Sequence, residues 1–318
     1  MINADKPHLW KDDVYASVRM YNEWFLAAAP EAFKKTRVLA VEDIERLMTA
    51  TNDMRDISPA LLKANPSIIN GLRMATSPPL ARDRLMGLAG LPTNSLLKTL
   101  EKGVLPPRMP AVELNAQLDR ICAMIARLLD TDLFPWLAGD EEVDERQREL
   151  AATVVADRLC GAVADPIVRN AQEQRQLALI ETWLTARGYS KKNLAPGSRL
   201  QDMEHGTFSF RQNVVVRGDS GKPVNIPVDT VIMPIAAAPG AYPILIEAKS
   251  AGDFTNTNKR RKEEATKVRQ LKDSYGDEIN LTLFLCGYFD AGYLGYEAAE
   301  GIDWVWEHRI DDMEQLLA

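Results

Sequence analysis

Residues 223–262 read PVNIPVDTVIMPIAAAPGAYPILIEAKSAGDFTNTNKRRK, and the rest of the chain is organised around them. The run Val224–Met233 alternates apolar and polar residues, carries Asp229 and predicts a strand. Pro243–Ala248 is a second, mostly apolar run that leads into Glu247-Ala248-Lys249. Pro234 and the Pro239-Gly240 pair supply turn chemistry between the two, which predicts an antiparallel pair joined by a long loop. Residues two apart on a strand share a face, so Glu247 and Lys249 point one way and Ala248 points into the core. With Asp229 alongside on the partner strand, two carboxylates and one ammonium converge.

That set suits metal-dependent phosphodiester hydrolysis. Mg²⁺ prefers hard oxygen ligands and keeps several waters, so one or two carboxylates and a substrate phosphate are enough to hold it. A metal so held lowers the pKa of a bound water and offsets charge developing on the phosphoryl group. A lysine beside it orients or helps deprotonate that water. The competing reading is a solvated cross-strand charge pair, which any Glu-x-Lys on a strand can form. Three features favour the catalytic reading: the apolar run Ile244–Ile246 marks a buried strand, Asp229 lies in the preceding strand, and a polar, basic helix follows over about Asn258–Tyr275.

A chain of 318 residues with 46% hydrophobic and 26% charged residues is that of an ordinary globular protein with one large or two modest domains. No run has the length of a membrane span, and MINADKPHLWKDD lacks the apolar core of a signal peptide, so a cytoplasmic protein is expected. Cys122, Cys160 and Cys286 are odd in number and set in apolar surroundings, as reduced core residues are; His8, His205 and His308 are too scattered for a metal cluster. The net charge of −7 argues against a sequence-blind DNA coater, whose phosphate contacts need Lys and Arg. It weighs less against a nuclease. The acidity is partly concentrated in Asp140–Glu145, while Lys259-Arg260-Arg261-Lys262 stands beside the candidate site.

Residues 1–164 read as a helical region and 165–318 as a separate domain. Helices are expected over Asp12–Ala28, from Pro30 through Arg37, over Val41–Ala50, from Ser58-Pro59 through Leu62, over Leu80–Leu88, Ala111–Leu129 and Asp140–Cys160. The proline-rich Val104–Pro110 reads as a linker. Arg73, Arg82, Arg84 and Arg108 lie near proline-rich breaks, where they read either as phosphate or guanine contacts or as solvated surface arginines. A helix over Ile167–Arg187, ended by Gly188, opens the second half. Thr207–Arg217, the two strands above, the basic helix, Ile279–Tyr288, a turn-rich Asp290–Ala299, a strand over Trp304–Arg309 and a terminal helix complete it. The expected fold is therefore α/β: a mostly helical N-terminal half, then a mixed sheet flanked by helices. Glu173, early on the helix before the sheet, is a candidate additional metal ligand; an exposed helix glutamate is the alternative.

The order of elements, with Asp229, Glu247 and Lys249 where they stand, resembles the PD-(D/E)xK nuclease superfamily. One departure is that Val228 precedes the aspartate and Pro227 comes one residue earlier. Four stretches extend the likeness over most of the chain: YNEWFLAAAPEAF (Tyr21–Phe33), LRMATSPPLARDRLMGLAG (Leu72–Gly90), ADPIVRNAQEQRQL (Ala164–Leu177) and ILIEAKSAGDFTNTNKRRKEEA (Ile244–Ala265). Together they resemble the XamI-like type II restriction endonucleases. The resemblance implies a Mg²⁺-dependent enzyme that cuts both strands of double-stranded DNA at a short palindrome, with GTCGAC as the suggested site. It implies a homodimer for reading that palindrome and a cognate methyltransferase that is not a stable subunit. It assigns metal binding to Asp229 and Glu247 and water activation to Lys249. No motif transfers for base reading; by local chemistry Asn256, Asn258, Lys259, Arg260 and Arg261 are the candidate DNA contacts, the asparagines and arginines as readers of adenine and guanine edges, with loop capping and phosphate contact as the alternatives. A structure-specific or repair nuclease of the same fold and a non-catalytic DNA-binding module are the competing functions.

Overall fold

A computed structural model describes the chain except for residues 140, 141, 196, 197, 219, 220, 255, 256 and 318 and the side chains of 257–261. The helical half comprises α1 (Trp10–Ala50), α2 (Pro59–Ala64), α3 (Ile69–Met74), α4 (Arg82–Leu88), α5 (Ser95–Glu101) and α6 (Ala111–Leu128). Then follow α7 (Glu145–Thr185), β1 (Ser190–Lys191), β2 (Thr207–Arg217), β3 (Pro223–Met233), β4 (Ile244–Ala251) and α8 (Thr257–Tyr275). The chain closes with β5 (Leu281–Gly287), α9 (Ala291–Ala299), β6 (Asp303–Trp306) and α10 (Glu314–Leu317). Among the described residues no helix is long and apolar enough to cross a membrane.

Two breaks expected from proline are absent. Pro30 lies inside α1 and Pro166 inside α7, each helix running 41 residues. A proline in a helix removes one N–H and crowds the carbonyl four residues back, which a long helix can absorb as a local distortion. α7 begins at Glu145, and Asp144 caps it: its carboxylate accepts from the Gln147 N–H at 2.9 Å. Asp140 and Glu141, the expected start, lie outside the described residues.

The chain forms two compact units, residues 29–168 and residues 1–28 with 169–318, so that α1 and α7 cross the division within a few residues of their prolines. The helical unit has its own core, including Ile44, Leu47, Leu62, Ile69, Leu97, Leu118, Ile121 and Val155. Arg73 and Arg82 both pair with Glu101, at 2.8 and 2.5 Å, while Arg84 and Arg108 are exposed. The three cysteines are buried and unpaired by disulfides.

The first 28 residues belong with the sheet. Asn3 Nδ2 donates to the Trp304 carbonyl, Ser17 Oγ accepts from the Gly287 N–H at 2.7 Å, and Asp13 pairs with Arg309 at 3.0 Å. Among the described residues the sheet has six strands in sequence order. β2, β3 and β4 form the expected antiparallel meander; β5 and β6 add parallel to it, joined through α8 and α9, and the two-residue β1 adds parallel at the other edge. The helical turn expected in the turn-rich stretch 290–299 is a helix of nine residues, with the Asp290 carboxylate accepting from the Tyr293 N–H to start it. The last strand ends at Trp306 and a 3₁₀ turn follows over Glu307–Met313.

The sheet buries both faces. Phe208, Ile232, Ile246, Phe284 and Val305 pack with Ile180, Trp183 and Leu184 of α7. Val231, Met233 and Leu245 pack with Leu271 of α8. Farther out along the β2–β3 hairpin the even-numbered positions change company: Val214, Val216, Ile226 and Val228 pack with Leu271 instead. The hairpin therefore rolls over between Phe210 and Val214, and Asp229 sits at that crossover.

Candidate active site

Thr230 pairs with Ile246 in the β3–β4 ladder, which makes Asp229 and Glu247 the next facing positions. The Ala248 N–H donates to Asp229 Oδ2 at 2.9 Å, and Lys249 Nζ lies 3.0 Å from Glu247 Oε1. The structure thus brings the three expected residues together, with Glu247 and Lys249 on one face. Ala248 is half-buried, not in the core, because β4 runs on to Ala251 beyond the ladder with β3.

Two residues of α8 complete the cluster. Lys267 Nζ lies 2.8 Å from Glu247 Oε2 and donates to the Pro227 carbonyl at 2.7 Å, linking α8 to both strands. Glu264 is 2% exposed, approaches Lys249 Nζ at 3.9 Å and accepts from the Tyr293 hydroxyl at 2.7 Å. Charges of opposite sign thus alternate from Glu264 through Lys249 and Glu247 to Lys267. Neither α8 residue was singled out from the sequence. The available signal was their spacing: three apart on a helix puts both side chains on one face, aimed at the strand that carries Glu247 and Lys249.

Burial, then the neighbouring Glu247, pushes the Asp229 carboxyl up to about 6 against the pull of the Ala248 N–H and of Lys249. Burial acts to lower the Lys249 ammonium, but Glu247, Glu264 and Asp229 around it hold it above its ordinary value. Two hard oxygen donors that repel each other in a half-dry site are what a divalent cation relieves. Glu247 Oε2 is buried and, though close to Lys267, makes no aligned hydrogen bond. The donor set fits Mg²⁺ through Asp229 and Glu247.

Glu173 lies elsewhere in its hydrogen bonding: its carboxylate accepts from Arg211 Nη2 at 2.8 Å, although its charge still acts on Asp229. Among the described residues no group of three or more His, Cys, Asp or Glu side chains could hold a metal ion. Asn256 lies outside the described residues. Asn258, Lys259, Arg260 and Arg261 fall in the first turns of α8, and their side chains are outside what is described.

The XamI restriction endonuclease family matches residues 52–306, a span that takes in most of the helical unit together with Asp229, Glu247 and Lys249. The chain belongs to that family. A type II restriction enzyme, SalI of Streptomyces albus G, is 64% identical over 314 residues, covering 99% of each chain. No solved structure matches. As a member of the XamI family the protein is a type II restriction enzyme, a site-specific deoxyribonuclease with DNA as its substrate.

Proposed function

We propose that this enzyme makes Mg²⁺-dependent double-strand cuts at a short palindrome, with GTCGAC as the expected site, through a PD-(D/E)xK-type centre of Asp229, Glu247 and Lys249. The observation that carries the reading is the meeting of two carboxylates and a lysine at the β3–β4 junction, with Lys249 Nζ 3.0 Å from Glu247 Oε1. Asp229 and Glu247 would hold the ion, which supplies a water of lowered pKa and positive charge against the phosphate. The Ala248 N–H orients the Asp229 carboxylate. Lys249, held by Glu247 and backed by Glu264, orients the attacking water and meets charge building on the phosphate oxygens. A palindrome read by a two-fold dimer has one such centre for each strand, so a homodimer is the expected assembly. Protection of the host genome calls for a separate DNA methyltransferase of the same specificity.

The test is digestion of unmethylated phage-length DNA with Mg²⁺ and with EDTA, followed by sequencing of the ends. Discrete bands that need Mg²⁺, ending within GTCGAC, are expected. Asp229→Ala and Lys249→Ala should lose cleavage and keep DNA binding. A fully active Lys249→Ala enzyme would overturn the assignment of the centre.

A further inference from the structure

Arg211 has φ 53° in the middle of β2, and among the described residues it is the sole non-glycine position of the sheet with a left-handed backbone. An L-residue with a side chain is strained there and glycine is not. The position is opposite Asp229: Phe210 pairs with Thr230 and Gln212 with Val228, and the ladder skips the Arg211–Asp229 pair between them. It is also the point at which the hairpin rolls over. A left-handed residue that turns a strand is most cheaply a glycine, yet the chain spends a long cation here.

The partner seen in the free chain does not account for that choice. Arg211 Nη2 bonds Glu173 Oε1 at 2.8 Å, but both side chains are well exposed, at 54% and 38%. A pair so exposed contributes little to stability. Strained backbone held by its surroundings clusters at active sites, and the position facing Arg211 across the strands is Asp229. Glu173, for its part, adds negative charge close enough to act on Asp229, in a place where a DNA phosphate would also be repelled.

We propose that Arg211 contacts a DNA phosphate beside the bond cut at Asp229, and that Glu173 holds its guanidinium until the phosphate replaces it. This rests on the reading of Asp229 as part of the catalytic centre. Arg211 is then a positioning residue: it fixes the backbone of the substrate relative to the carboxylates. Its left-handed conformation sends the side chain out of the strand at the crossover, and the exchange of Glu173 for phosphate keeps the charge paired throughout. Removing the Arg211 guanidinium removes one phosphate contact, and removing the Glu173 charge removes the competitor.

The test uses Arg211→Gly, Arg211→Lys and Glu173→Gln in the full-length enzyme. Glycine adopts φ 53° without strain, so Arg211→Gly keeps the backbone turn and takes away only the cation. Binding to a fluorescent duplex containing GTCGAC is followed by anisotropy in EDTA over a range of salt. For Arg211→Gly the slope of log K against log salt should become shallower by about 0.9, the loss of one phosphate contact, with affinity a few-fold weaker. Arg211→Lys should restore the slope, and Glu173→Gln should bind DNA a few-fold more tightly than the unaltered enzyme. An unchanged slope in Arg211→Gly, a slope that lysine does not restore, or unchanged or weaker binding by Glu173→Gln would overturn the proposal. Cleavage by Asp229→Asn in Mg²⁺ tells the two readings apart. If that variant still cuts DNA while Arg211→Gly has the shallower slope, the phosphate contact stands and the catalytic assignment fails.

Discussion

The Ala248 N–H donates to Asp229 Oδ2 at 2.9 Å, so the backbone of one strand orients the carboxylate of the next. That bond favours the ionised carboxylate. Burial and the facing Glu247 oppose it and win, because the Asp229 carboxyl is held at about 6. The free enzyme therefore stores electrostatic strain at the junction of β3 and β4, where the Asp229 carboxylate is already oriented by the neighbouring backbone.

The strain has a sign that can be measured. The folded Asp229 carboxyl sits above its ordinary value of 3.8, so folding takes up a proton between the two. Its contribution to stability is fully present below pH 3.8, is lost as pH rises towards about 6, and stays lost above that. Asp229→Asn should therefore stabilise the metal-free protein at pH 7 by about 1–3 kcal/mol, with the gap closing as pH falls below 5 or so. Urea titrations in EDTA at several pH values check this. Equal stability of the two proteins at pH 7 would mean that Asp229 is not strained.

Lys267 is the cation that Glu247 Oε2 and the Pro227 carbonyl share in the free chain. Lys267→Met keeps the length of the side chain and removes the charge, leaving a carboxylate that is 7% exposed with Lys249 alone. Breaking one partner from a buried pair costs more than the pair was worth, so a loss of about 2–4 kcal/mol is expected. Divalent ions should recover part of it, by about 2.7 kcal/mol at a hundred times the dissociation constant. Thermal melts with and without Ca²⁺ provide the measurement. A variant that melts with the unaltered protein in EDTA would show that Lys267 carries no charge load.

Much of this site was legible because strand periodicity is short-range. The β2, β3 and β4 runs stand within three residues of where alternation and turn residues put them, and the pairing of Asp229 with the Glu-x-Lys strand followed from the loop between. The α8 residues were illegible for the opposite reason: a charged helix has no preferred buried face in its pattern, and Glu264 and Lys267 are inward only because the sheet supplies their partners. Pro30 and Pro166 misled because local breaking strength says nothing of the two long flanks that keep a helix going. The left-handed Arg211 had no signal, since glycine or asparagine marks such a backbone and arginine does not.

Tyr293 supports the site from behind. Its hydroxyl donates to Glu264 Oε2 at 2.7 Å in a buried setting, and Glu264 in turn faces Lys249. Tyr293→Phe removes a hydrogen bond to a charged acceptor and leaves the ring's packing with Phe289 in place. A loss of about 1.5–3 kcal/mol is expected. Because the change acts on Lys249 through Glu264, kcat for cleavage should fall while KM for DNA stays near its original value. An equal change in both would point to general loosening of the fold.

The end of β4 depends on Gly287. Its φ is 104°, and a Cβ built there would collide with the Ala251 carbonyl, the acceptor for the Tyr288 N–H at 2.9 Å. Its own N–H donates to Ser17 Oγ at 2.7 Å, which fixes the start of α1 against the sheet. Gly287→Ala must therefore strain the backbone and push the ends of β4 and β5 apart, at a cost of about 2–4 kcal/mol. Ser17→Ala removes only the hydrogen bond and should cost about 1 kcal/mol. Lys249 is two residues from Ala251 on the same strand. At a temperature where Gly287→Ala is still folded, its cleavage should be slowed well beyond that of Ser17→Ala. Urea unfolding and single-turnover cleavage of the two variants test this together, and Gly287→Ala as stable and as fast as Ser17→Ala would mean that the strand end can shift without moving Lys249.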